Sequence, residues 1–201
     1  MVGFTQNNPQ LSLIGLFGKI PKRGDFISSA LPRSFQDRVE NWVRGGFVTA
    51  KQNPDWHAAY LSSPIWQFAA ARGFFDNNAW CGVIMPSVDS VGRNFPMIIA
   101  MQTDAVRQDI LQIAQSLAQD ALVDTVDVQA WENEVVGLGA LDVSDGPTRF
   151  CSPPAGAYFQ AVGYDGDILT KHFENSADPN VYAKLIGANT LPTEPADGDL
   201  L

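Results

Sequence analysis

The sequence predicts an α/β protein: one domain with a mixed, partly antiparallel sheet and helices packed on it in layers. Three observations point there. Apolar runs of strand length recur along the chain, at residues 11–17, 65–71, 80–85 and 96–102. Between and after them lie segments whose apolar residues return every three or four positions, the mark of a helix with one buried face. No internal repeat, low-complexity tract or linker divides the 201 residues. A single domain of this length buries roughly 70% of the surface its unfolded chain exposes. The domain is read as residues 1–190, and 191–201 as a loose, acidic, proline-containing tail.

The elements follow in order. Residues 11–17 are a buried strand ended by Gly18, and 19–29 read as a loop over its end. Pro32 opens a helix. Its apolar stripe is Phe35, Val39, Trp42, Val43, Gly46, Phe47 and Ala50, with Gln36, Asp37, Arg38, Glu40, Asn41 and Arg44 opposite. Gly45-Gly46 costs about 1 kcal/mol per glycine in a helix. The stripe resumes in phase afterwards, so close packing on a neighbour is expected rather than a break. Residues 55–61 form a short helix stopped by Ser62-Ser63-Pro64.

Strands 65–71 and 80–85 are joined by the turn-rich segment 73–78. The link from 86 to 95 has no helical pattern, so strands 80–85 and 96–102 pair as an extended hairpin. A helix follows on Val106, Ile110, Ile113, Ala114, Leu117, Ala118 and Ala121, capped by Thr103 or Asp104. Trp131, Val135 and Leu138 mark another within 127–141. Strands at 148–151, 158–163 and 168–173 and a helix at 179–186 complete the reading, with Asp165-Gly166-Asp167 as a turn.

Composition narrows the function. The net charge is −9, distributed as +4 over residues 1–72 and −13 over 73–201. Such a chain repels phosphate backbones, so nucleic acid is not an expected partner. The basic first third leaves room for a local acidic contact. No window approaches the ~20 apolar residues of a membrane span. Cys81 and Cys151 sit in apolar surroundings without a CxxC partner, and residues 1–10 lack an export pattern. These features suggest a cytoplasmic protein with two small buried thiols and no bridge.

Catalytic constellations are scarce. His57 and His172, the only histidines, have no partner at metal-ligand spacing, so no metal or cofactor is expected. Gly18-Lys19 is followed by Ile20-Pro21 rather than by Ser or Thr opening a helix, which departs from a phosphate loop. No Gly-x-Ser-x-Gly elbow occurs around Ser62, Ser63, Ser87 or Ser90. What remains is a charged group on two loops: Lys19, Arg23 and Asp25 on one, Asp89 and Arg93 on the other. If the loops meet at one sheet edge, charge-assisted bonds among them pin both. The rigid platform that results either ends there or also presents a docking surface. Trp42 and Trp66 are read as core; an exposed side chain among Trp56, Phe74 and Phe75 would suit an interface anchor.

Three ordered elements carry a family resemblance: Gly18-Lys19-x-Pro21-x-Arg23-Gly24-Asp25-Phe26, Ser63-Pro64-Ile65-Trp66, and the segment 80–96, with Trp80, Gly82, Pro86, Ser87, Asp89, Gly92, Arg93 and Pro96. In that order they resemble the N-terminal-type domain of TagF, a protein associated with bacterial type VI secretion. The resemblance implies a cytoplasmic, post-translational repressor that binds the forkhead-associated (FHA) domain protein of the secretion system. It carries no catalytic residue. Lys19, Arg23, Asp25, Asp89 and Arg93 are the candidates for partner binding or loop organisation, and the remaining motif residues for structure. Two other readings stay open: an enzyme acting on a phosphorylated substrate through the Asp/Arg group, and a structural accessory of the secretion machine. Oligomeric state is not legible.

Overall fold

The computed structural model describes residues 12–187 apart from 124, 144, 145, 147, 164 and 179. The expectations for residues 1–11, Pro147, Pro179 and the tail concern residues outside those described.

Two strands frame the first loop. All five residues of β1 (Ile14–Gly18) are buried. The loop read over 19–29 ends in a short strand, β2 (Ile27–Ser29), antiparallel to β1. Its Ile27-Ser28-Ser29 sequence is too short and polar to announce a strand. Helix α1 (Arg33–Ala50) then runs unbroken with Pro32 at its N-cap. Gly46 marks where a neighbour packs closely on it. A Cβ there would stand 2.4 Å from Cβ of Tyr182, so only glycine admits the crossing helix α5 (Asn180–Leu185) at this distance. Gln36, expected on the solvent face, is buried and donates to the Leu31 carbonyl at 2.8 Å.

Helix α2 (Trp56–Leu61) leads into β3 (Trp66–Ala70), and β4 (Trp80–Met85) and β5 (Met97–Met101) follow. β4 and β5 pair antiparallel from Cys81↔Met101 to Met85↔Met97, the expected hairpin. The next helix begins later than its stripe suggests. Val106 lies in a strand, β6 (Ala105–Arg107), so α3 (Gln108–Asp120) starts beyond the Thr103/Asp104 cap and buries Leu111, while Ile113 is 42% exposed. Helix α4 (Val128–Gly137) buries Val128, Trp131 and Val135, and Asp127 caps it. β7 (Arg149–Cys151) pairs with β6 in a small separate sheet, while β8 (Ala157–Val162) and β9 (Ile168–Phe173) join the main one.

The main sheet has the order β2-β1-β5-β4-β3-β8-β9. Every pairing is antiparallel, where the sequence suggested a mixed sheet. The helices do not serve as right-handed crossovers between adjacent parallel strands; short links join β1–β2, β3–β4, β4–β5 and β8–β9, and helices lie in the longer connections that lead to β3 and β8. Each central strand splits its side chains between two cores. Trp80, Ile84, Ile98 and Ala100 face the core under α1 and α5, whereas Cys81, Val83, Ile99 and Met101 face the core under α3 and α4. Both sheet faces are covered, which is why these strands read as continuous apolar runs. Burying each of the larger side chains contributes about 1.5–3 kcal/mol.

Trp42 and Trp66 are core residues, and so are Phe74 and Phe75, which removes the latter two as interface anchors. Trp42 packs edge-on against Phe75 and Tyr182. Cys81 is buried but Cys151 is exposed at the small sheet, which corrects its reading as a buried thiol. Among the described residues no helix is long and apolar enough to cross a membrane.

Candidate functional site

The loop between β4 and β5 is built around Asp89. Val88 bridges Asn94, the Asp89 amide donates to the Arg93 carbonyl at 3.1 Å, and the Gly92 amide donates to the Asp89 carbonyl at 2.9 Å. Gly92 has φ +81°, a left-handed turn conformation that glycine adopts without a Cβ clash. Both backbone groups of Ser87 are held by one side chain. The Tyr60 hydroxyl donates to the Ser87 carbonyl at 2.7 Å and accepts from the Ser87 amide at 2.8 Å.

The carboxylate of Asp89 points inward, with its side chain 0% exposed. Oδ1 accepts from the amides of Val91 at 3.1 Å and Arg93 at 2.8 Å. Oδ2 accepts from Lys19 Nζ and Arg93 Nε, both at 2.7 Å. Four donors satisfy the capacity of an ionised carboxylate. Burial alone would raise this carboxyl's pKa. The bonds from Lys19, the Arg93 amide and side chain, and the Val91 amide outweigh burial and hold it well below the usual carboxylate range.

The other loop is drawn in by the same residues. Pro21 sets a turn closed by the Arg23 amide on the Ile20 carbonyl at 3.2 Å. Lys19 reaches Asp89 with only 8% of its side chain exposed, and its ammonium lies 5.1 Å from the centre of the Phe26 ring. The Ser90 amide donates to the Arg23 carbonyl at 3.0 Å, and Arg93 Nη2 donates to the Gly24 carbonyl. Beneath, Phe26 stacks on Phe17 at 5.2 Å and meets Phe95 edge-on at 4.7 Å.

Of the five charged candidates, the structure joins the side chains of Lys19, Asp89 and Arg93. Those of Arg23 and Asp25 are exposed, and neither enters an ion pair among the described residues. Their loop is tied through its carbonyls instead, a role that side-chain chemistry could not reveal. Trp66 and Trp80 belong to the sheet core. Their indoles donate to Ser63 Oγ at 3.2 Å and Asp76 Oδ1 at 2.8 Å. The sequence reading missed Tyr60, whose hydroxyl has no sequence signal linking it to a loop 27 residues away.

Chemically, the network is closed. Every acceptor direction of Asp89 is occupied, and an acid so firmly ionised neither takes nor gives a proton near neutral pH. Among the described residues no group of three or more His, Cys, Asp and Glu side chains is placed to hold a metal ion. The arrangement is suited to fixing the shape of two surface loops.

Comparison with known proteins agrees with this fold. No curated protein matches the chain. Among solved structures, PA0076 from Pseudomonas aeruginosa PAO1 shares the fold at a TM-score of 0.72 and 22% identity, over 94% of this chain and 96% of that one. The family model for the TagF N-terminal domain, type VI secretion system-associated, matches residues 15–138, a span that includes both loops and the helices α1 to α4. The chain therefore belongs to the TagF N-terminal domain family of type VI secretion system-associated proteins.

Proposed function

We propose that this chain is a cytoplasmic repressor of type VI secretion that acts by binding, not by catalysis, and that it holds the FHA-domain protein of that system. One observation carries the reading beyond family membership. The buried charge cluster that a catalytic hypothesis would need is saturated by its own hydrogen bonds, and its exposed side is a stiff double loop. Rigid loops on a packed scaffold suit recognition, because little conformational entropy is lost when a partner docks.

Deletion in a strain that carries the secretion system is the test. Loss of a repressor raises secretion of the system's substrates. Unchanged or abolished secretion contradicts the reading, and abolition would instead mark a structural accessory. Co-purification with the FHA-domain protein reports the proposed partner separately.

A further inference from the structure

We infer that a groove beside the Lys19–Asp89–Arg93 network binds an acidic, carboxylate-bearing peptide segment of a partner protein. This rests on the reading that the chain acts by holding another protein, and it names the chemistry of what is held. One wall is α1. Arg44, Phe47, Val48 and Lys51 are spaced three, four and seven positions from the first, so they share one helix face. Lys19 and Arg93 close the other wall, and the groove encloses about 460 Å³.

Charge sets the occupant. Four cations line the groove and no acidic side chain does. The two carboxylates that partner them are Asp89, fully buried, and Glu40, bonded to Arg44 at 2.7 Å. The groove is thus a net positive site on a chain of net charge −9. Its apolar content is equally specific. Val48 is 71% exposed on the same face, with Phe47 half-buried beside it and Phe26 at 37% across from it. Asn94 also lines the groove, and its amide oxygen is buried without a hydrogen-bond partner among the described residues.

Carboxylates interspersed with apolar side chains match this surface. A compact phosphate matches it less well, since it needs several convergent free donors. Of the four cations only Lys51 stands outside an ion pair among the described residues. Nucleic acid is opposed by the chain's overall charge.

The test uses the full chain and a short fluorescein-labelled peptide alternating Glu with Leu, followed by anisotropy at low and physiological salt. The wild-type chain is expected to bind it, more weakly at the higher salt, and to ignore a peptide with Lys in place of Glu. Lys51→Glu and Val48→Asp should each weaken binding by about tenfold. Both positions are exposed, and an unchanged urea midpoint verifies the fold. Should either variant lower that midpoint, Lys51→Gln is read in its place, with a smaller loss expected. No binding by the wild type, equal binding by the variants, or tighter binding of an otherwise neutral phosphothreonine peptide overturns the inference. Titration of the FHA-domain protein in parallel separates the two claims. Equal binding to wild type and Lys51→Glu sinks the groove alone, whereas failure to bind either sinks the partner reading alone.

Discussion

Replacing Asp89 with Asn probes the network most sharply. The substitution keeps the shape and an oxygen for the Val91 and Arg93 amides, but it turns an NH₂ donor toward Lys19 Nζ or removes the charge facing it. Lys19 is then an ammonium with 8% of its side chain exposed and no counter-charge. Breaking a buried ion pair from one side costs about 3–5 kcal/mol. Arg93 adds little to that figure, because its side chain is 59% exposed and water can replace the bond. For a chain of this length each kcal/mol lowers Tm by about 2–4 °C, so the expected fall is roughly 6–20 °C. Lys19→Met should cost less, since Asp89 keeps Arg93 and two amides. The double variant Lys19→Met/Asp89→Asn should be more stable than Asp89→Asn alone.

Acid provides a second reading of the same variant. A carboxyl whose pKa is lowered by folding stabilises the protein above its unfolded value, about 3.9, and loses that contribution as pH falls toward the folded value. The stability gap between wild type and Asp89→Asn should therefore narrow steadily below about pH 4. Urea titration at several pH values measures it. A cost for Asp89→Asn under about 1 kcal/mol at neutral pH, or a gap that does not change with acid, refutes the reasoning.

Three further outcomes are expected. Gly46→Ala gains about 1 kcal/mol of helix propensity but sets a methyl 2.4 Å from Tyr182 Cβ, so a net loss of about 1–2 kcal/mol should appear by urea denaturation; a gain would mean that α1 and α5 do not pack this closely. Tyr60→Phe strands the buried Ser87 amide, while the Ser87 carbonyl keeps the Phe95 amide at 3.1 Å, and should cost about 1–3 kcal/mol, whereas a near-neutral result would show that water reaches Ser87. Burial pushes the Cys81 thiol up to about 12, against a smaller lowering by Ser152, while Cys151 is exposed. Native protein at pH 8 should thus show one reactive thiol by disulfide-exchange titration, and a second only on unfolding.

Much of the fold was legible because both sheet faces are covered, which gives strands 80–85 and 96–102 an uninterrupted apolar signature. The helix through 33–50 was legible for the complementary reason, a stripe at helical period that Gly45-Gly46 does not dephase. Where the reading failed, long-range packing outweighed local pattern. Val106 fits a helical stripe, yet pairing with Phe150 draws it into a strand, and the register of α3 shifts so that Leu111 is buried and Ile113 is not. Ser28 and Ser29 form a strand only because β1 offers them partners.

At the candidate site, the charged motif residues identified the two loops but not how they are tied. Asp89 gathers Lys19 and Arg93, as opposite charges should. Arg23 takes part through its backbone only, because the carbonyls of Arg23 and Gly24, and not Asp25, accept the bonds that cross between the loops. The groove on α1 was hidden for another reason. Arg44, Val48 and Lys51 look like an ordinary solvated face until the second loop is folded against them.

The central claim, that this chain works by holding a protein of the secretion system, is tested most directly by calorimetric titration with the purified FHA-domain protein. A saturable complex of micromolar affinity or tighter, about −8 kcal/mol, is the expected result. Absence of any binding at high micromolar concentrations of both proteins would contradict it.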